Sequence, residues 1–141
     1  MALKIYNTLS GKKEVFKPIK GKEVGLFVCG PTVHNYIHIG NARTFINFDF
    51  IVRYLRLIGY KVFYLQNITD IDDKIINRAN EEGLDWKEVK DKYEKAYLEN
   101  MKKLHVTSVS KYAPATKYIP QIISQVKRLI QKNTIKNSKK K

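Results

Sequence analysis

Cys29-Gly-Pro-Thr-Val-His-Asn-Tyr-Ile-His-Ile-Gly-Asn41 joins two segments with different periodicities. Before it lies the short apolar run Val24-Gly-Leu-Phe-Val28, which reads as a buried strand. After it, Ala42 to Ile58 reads as a helix, with apolar residues at Phe48, Ile51, Val52, Leu55 and Ile58 and Gly59 as its stop. Lys61-Val-Phe-Tyr-Leu-Gln66 reads as a second strand. A strand, a crossover helix and a strand of these lengths predict a βαβ unit with parallel strands. The quoted stretch is then the strand-to-helix switch. In open parallel sheets, ligands dock beyond the carboxyl ends of the strands at such switches. A helix start adds unpaired N–H groups and a positive dipole end, which suit phosphate.

Within the switch, His38 and Asn41 stand three residues apart at the helix entry and point to one side. An imidazole and a carboxamide there can both donate to an anionic oxygen. Gly40 lies between them and carries no side chain, so a flat ring could approach the backbone. The plainer alternative is that His38 is an N-terminal helix residue making local hydrogen bonds. Spacing alone leaves both open.

The 141 residues are 43% apolar, enough for one core. No apolar stretch is long enough to span a bilayer, and Met-Ala-Leu-Lys-Ile-Tyr6 has no secretory apolar region. Cys29 is the only cysteine, so no intrachain disulfide can form. A cytoplasmic protein with no membrane partner is expected. The net charge of +14 is uneven: residues 1–99 carry 16 Lys/Arg and 13 Asp/Glu, and residues 100–141 carry 11 Lys/Arg and no acid. That asymmetry fits either a polyanionic partner, nucleic acid first, or a solvated lysine-rich end.

Residues 1–22 are expected to form a hairpin and loop, with strands at Lys4–Leu9 and Glu14–Phe16 around Ser10-Gly-Lys12. Thr69-Asp-Ile-Asp-Asp73 leads into a helix ending at Gly83. Asp85 with Glu88 resembles a capping box for a helix over 86–103 burying Val89, Tyr93, Tyr97 and Met101. Pro114 breaks the chain. A helix over 116–132 presents Ile119, Ile122, Ile123, Val126 and Ile130, and residues 133–141 read as a basic disordered tail. Only two parallel strands are evident, so helices 86–103 and 116–132 are expected to have too little sheet to cover.

Several strings taken together resemble the N-terminal part of class I aminoacyl-tRNA synthetases, and within that class the cysteinyl-tRNA synthetase family. They are Lys4-Ile-Tyr-Asn-Thr-Leu9, Val28-Cys-Gly-Pro-Thr-Val33, Ile37-His-Ile-Gly-Asn-Ala-Arg-Thr-Phe45, Tyr54-Leu55, Asn67-Ile-Thr-Asp-Ile-Asp-Asp-Lys-Ile-Ile76 and Arg78-Ala-Asn80. The resemblance covers residues 2 to about 132 and implies an α/β fold. This would be an incomplete Rossmann-like parallel sheet with flanking helices, first half only. Residues 23–115 would be the first half of the catalytic domain, and 116–132 a helix leading to the connective insertion.

The resemblance implies ATP-dependent activation of cysteine and its transfer to tRNA, with ATP, Mg2+, cysteine and tRNA as substrates and partners. His38, Gly40 and Asn41 would bind ATP, and His38 and Asn41 would act in catalysis. The fourth position of the family's H-I-G-H motif is Asn41 here, which can donate a hydrogen bond but cannot carry a proton. Gly30 and Thr69 match the amino-acid pocket. Cys29 matches one ligand of a zinc ion that binds the substrate thiolate, a soft-ligand device for rejecting serine. Asp70, Asp72 and Asp73 read as capping and packing carboxylates.

The family's remaining zinc ligands and its K-M-S-K-S loop are not found here. Lys136-Asn-Ser-Lys-Lys140 echoes that loop only superficially, and residues after Lys132 are expected to depart from the family. The chain is therefore expected to be an opening portion of a cysteine–tRNA ligase, inactive alone. The alternatives are a cysteine-activating ligase of thiol biosynthesis and a non-catalytic nucleotide- or RNA-binding module.

Overall fold

The computed structural model describes residues 3–132. It opens with an antiparallel hairpin, β1 (Lys4–Asn7) and β2 (Lys12–Val15), with Lys4 opposite Val15 and Asn7 opposite Lys12. The first strand stops two residues short of the expected Leu9 because Asn7 turns the chain. Its Oδ1 accepts from Leu9 N at 3.0 Å, and its carbonyl accepts from Gly11 N at 2.8 Å.

The expected βαβ unit is present: β3 (Glu23–Val28), α1 (Ile39–Leu57) and β4 (Lys61–Ile68). β3 and β4 are parallel, with Val24 opposite Val62 and Val28 opposite Gln66. A third parallel strand, β5 (Lys111–Pro114), completes the order β3-β4-β5. The sequence suggested only two strands. β5 is four residues long and pairs only with Leu65–Ile68, so it carries too little alternation to stand out. Pro114 takes the last pair on an edge strand, where a missing N–H is tolerated.

β4 alternates cleanly, with Val62, Tyr64, Gln66 and Ile68 buried. The helices α2 (Asp73–Glu82) and α3 (Trp86–Lys103) follow. Gly83 closes α2 at φ 67°, a left-handed conformation that suits glycine. Asp85 caps α3 by accepting from Lys87 N at 2.7 Å, while no reciprocal bond from Glu88 is found among the described residues. The expected stripe Val89, Tyr93, Tyr97 and Met101 is buried. It packs in one core with Phe45, Ile68, Ile75 and Ala79, so α3 does find cover. Tyr97 donates its hydroxyl to Gln66 Oε1 at 2.7 Å inside that core.

α1 buries Val52 and Leu55 as expected and packs Phe48 against the same core, but its buried stripe is shifted to take in Ala42, Phe45 and Asp49. Ile51 and Ile58 are 40% and 41% exposed. The rotation follows from a polar anchor. Asp49 Oδ1 accepts from Thr107 N (2.9 Å), Ser108 N (2.7 Å) and Ser108 Oγ (2.6 Å), tying α1 to the segment entering β5. Arg53 pairs with the other oxygen at 2.5 Å. A simple apolar count cannot foresee a buried carboxylate at the centre of a helix stripe.

α4 (Ile119–Gln131) follows a 3-10 turn at Ala115–Tyr118. It buries no residue, and Ile119, Ile122, Ile123 and Val126 stay 38–48% exposed. On the sheet, Phe27 and Phe63 are also exposed. No helix among the described residues is long and apolar enough to cross a membrane. The expected tail over 133–141 and the Lys136-Asn-Ser-Lys-Lys140 echo lie outside the described residues.

Candidate active site

Beyond Val28 the chain keeps running beside the end of β4. Thr69 N donates to the Pro31 carbonyl at 3.0 Å, and Val33 N donates to the Thr69 carbonyl at 3.1 Å. Val33 is buried and pins this loop to the core. Asn67 links the two expected amino-acid-pocket residues. Its Oδ1 accepts from Gly30 N at 2.8 Å, and its Nδ2 donates to Thr69 Oγ1 at 3.3 Å. Glycine at position 30 has a direct cause: a Cβ there would lie 1.7 Å from the Asn67 carbonyl oxygen. Asn67 was visible only as one letter of a long string. Its bridging role needs the register of β3 against β4.

α1 begins at Ile39, three residues earlier than the apolar pattern suggested, with extended His38 as its N-cap. His38 Nδ1 accepts from Gly40 N at 3.0 Å, and Asn41 Oδ1 accepts from His38 N at 3.4 Å. This reciprocal pair is a capping box built from an imidazole and a carboxamide. Its chemical consequence is specific. A neutral ring accepting through Nδ1 carries its proton on Nε2. Asn41 spends its carbonyl on the cap and keeps its NH2 as a donor. The local bonding and the anion-donor role of His38 are therefore compatible, because they use different atoms. A Cβ at position 40 would lie 2.7 Å from His38 Cε1, so Gly40 makes room for the histidine ring. That is a nearer reason for glycine than an approaching base.

A cavity of about 380 Å³ opens at this helix entry. Pro31, Thr32, residues 34–38 and Asn41 supply most of its wall, including His34 and His38, and Lys74 of α2 supplies the rest, while Gly40 is not on it. Lys74 was not among the residues singled out from the sequence. Cys29, Gly30 and Thr69 are not part of this wall. They cluster at the adjoining strand ends.

The acidic cluster is structural. Asp70 is fully buried and accepts from Thr116 N at 2.9 Å and from the Thr116 hydroxyl, with Lys90 Nζ at 4.0 Å. Asp72 caps α2 through Lys74 N at 2.9 Å. Cys29 is exposed, and its Sγ donates to the Gly30 carbonyl at 3.7 Å. No group of three His, Cys, Asp or Glu side chains able to hold a metal occurs among the described residues. A protein zinc site takes three or four such ligands, so one thiolate does not fit a complete site.

The family model for the class I (C) tRNA synthetase catalytic domain matches residues 15–140. The chain belongs to this family. The match runs past Lys132, where the sequence was expected to depart from it. Relatives named cysteine–tRNA ligase include those of Thermoplasma acidophilum and Aeropyrum pernix, each 52% identical over 130 residues and 92% of this chain. That of Finegoldia magna is 51% identical over 136 residues, 96% of the chain. The match takes in 29%, 27% and 29% of these relatives respectively. The chain thus spans under a third of the length of the synthetases it matches. Its three-stranded parallel sheet with flanking helices is part of a class I synthetase fold.

Proposed function

We propose that this chain carries the ATP-binding portion of a cysteine–tRNA ligase. The observation that carries the reading is the His38–Asn41 capping box on the wall of the helix-entry cavity. It leaves two donors, His38 Nε2–H and the Asn41 amide, at the positive end of α1. In the reaction, a carboxylate oxygen of cysteine attacks the α-phosphorus of ATP. The bond to pyrophosphate breaks, and cysteinyl adenylate forms. The 3′ end hydroxyl of tRNA then takes the cysteinyl group and releases AMP. Negative charge builds on the transferring phosphate, where the two donors act without rearrangement. Mg2+ accompanies ATP.

Gly30 and Thr69, held by Asn67, form one wall of the amino-acid pocket in this reading. Cys29 contributes a single thiolate. A zinc site needs further ligands, so no step is assigned to a metal here. The names of the relatives favour the tRNA ligase over a thiol-biosynthesis ligase or a passive module. Residues 23–115 form the first half of the catalytic domain and 116–132 lead towards an insertion. The setting is the cytoplasm.

A chimera tests this reading. This chain replaces the matching N-terminal portion of the Finegoldia magna ligase, and ATP–pyrophosphate exchange is measured. Exchange that depends on cysteine is expected, and His38→Ala should slow it about 100- to 1000-fold, the usual cost of one oxyanion donor. A folded chimera without exchange, or one driven by a different amino acid, contradicts the proposal. The isolated chain should show no exchange.

A further inference from the structure

The nucleotide cavity has one feature that the His38–Asn41 pair does not account for. Its wall from Pro31 to Asn41 contains no Lys, Arg, Asp or Glu, so among the described residues Lys74 is the only side chain of fixed charge that lines it. A triphosphate entering this space would meet hydrogen-bond donors on the α1 side and a lysine on the α2 side.

Lys74 is also uncommitted. Only Lys20, Lys90, Lys92, Arg53 and Arg78 among the described residues have a carboxylate within 4.0 Å, so most cations here, Lys74 with them, stand without one. Asp72, two residues before it, turns its carboxylate to the α2 backbone, where Oδ1 accepts from Lys74 N at 2.9 Å. The cap fixes the Lys74 backbone, and the side chain extends from an exposed residue on the cavity wall. An ammonium on a flexible stem with three donors is well matched to the mobile oxygens of a polyphosphate. The cap and its place on the wall make Lys74 the one fixed cation lining this cavity among the described residues.

We infer that Lys74 is a phosphate-contacting residue, holding the polyphosphate of ATP across the cavity from His38 and Asn41. This rests on the nucleotide reading of the cavity and adds a residue to it. At position 41, asparagine cannot take on charge. Lys74 supplies the charge from another helix.

The test is a titration of the full chain with ATP–Mg2+ and, separately, with adenosine, followed by amide NMR shifts. Wild type, Lys74→Gln, Lys74→Arg and His38→Ala are compared after circular dichroism has established that each is folded. Lys74→Gln should weaken ATP binding by roughly 10-fold, the size of one charge-assisted hydrogen bond, and leave adenosine binding unchanged. Lys74→Arg should restore most of the ATP affinity. The salt dependence of ATP binding should be shallower in Lys74→Gln than in wild type. Wild-type ATP affinity in Lys74→Gln, beside lost affinity in His38→Ala, removes the role of Lys74 alone. Equal losses for ATP and adenosine in Lys74→Gln also overturn it, since they mean a displaced wall. A wild-type chain that binds no ATP overturns the nucleotide reading, and this inference with it.

Discussion

Gly30→Ala is expected to destabilise the chain by about 3 kcal/mol, at the upper end of overpacking effects. The added methyl would stand 1.7 Å from a backbone oxygen, that of Asn67, which no side-chain rotation can relieve. β4 is central and paired on both sides, so the Gly30 loop must give way. Its bond to Asn67 Oδ1 and the approach of Pro31 to Thr69 would go with it. Urea unfolding measures the loss, and Gly25→Ala is the control. A Cβ at Gly25 meets nothing within 4 Å, so that variant should unfold at or slightly above the wild-type midpoint. Equal midpoints for the two variants would mean that the Gly30 loop does not lie against β4 as described.

Asp49→Ala should also cost about 3 kcal/mol. It removes the acceptor for two backbone N–H groups and a hydroxyl, and Ser108 is buried. Orphaned buried donors cost about 1–3 kcal/mol each, and partial rehydration keeps the sum below the maximum. The pH dependence has a definite sign. Burial by itself would raise the Asp49 carboxyl. The hydrogen bonds from Ser108 and Arg53, with the Arg53 charge, outweigh it and hold the carboxyl below its usual range. A depressed folded value means that the stabilisation is fully present above about pH 4, the ordinary carboxylate value, and is lost as pH falls through the lower folded value. Urea midpoints for wild type should therefore drop on acidification through this window, and those for Asp49→Ala should drop less. Parallel curves would remove the anchor role.

The same carboxylate shows where the sequence was legible and where it was not. The βαβ unit was readable because two short apolar runs, β3 and β4, flank a longer helical segment that stops at Gly59. The α3 stripe was readable for the same reason, and Val89, Tyr93, Tyr97 and Met101 are all buried. The face of α1 was read only in part: Val52 and Leu55 are buried as expected, but Ile51 and Ile58 are not, because Asp49 is buried by partners 58 and 59 residues away, which no local pattern contains. β5 was missed because four residues ending in proline carry no period.

The stripe on α4 was read correctly as a pattern, yet it stays exposed because no described element covers it. At the site, spacing and resemblance singled out His38, Gly40 and Asn41, and the structure places His38 and Asn41 on one cavity wall. What spacing could not supply was the division of labour between ring nitrogens, the Asn67 bridge, and the arrival of Lys74 from a second helix.

The central claim is that His38 caps α1 through Nδ1 so that its Nε2–H is offered to phosphate. Nitrogen-15 NMR of the His38 ring in the full chain, without and with ATP–Mg2+, measures this directly. The account predicts a neutral-ring tautomer with Nδ1 unprotonated and the proton on Nε2, the Nε2 resonance and the Gly40 and Asn41 amides shifting together on addition of ATP. A ring protonated on Nδ1, or one unmoved by ATP while amides elsewhere respond, would contradict it.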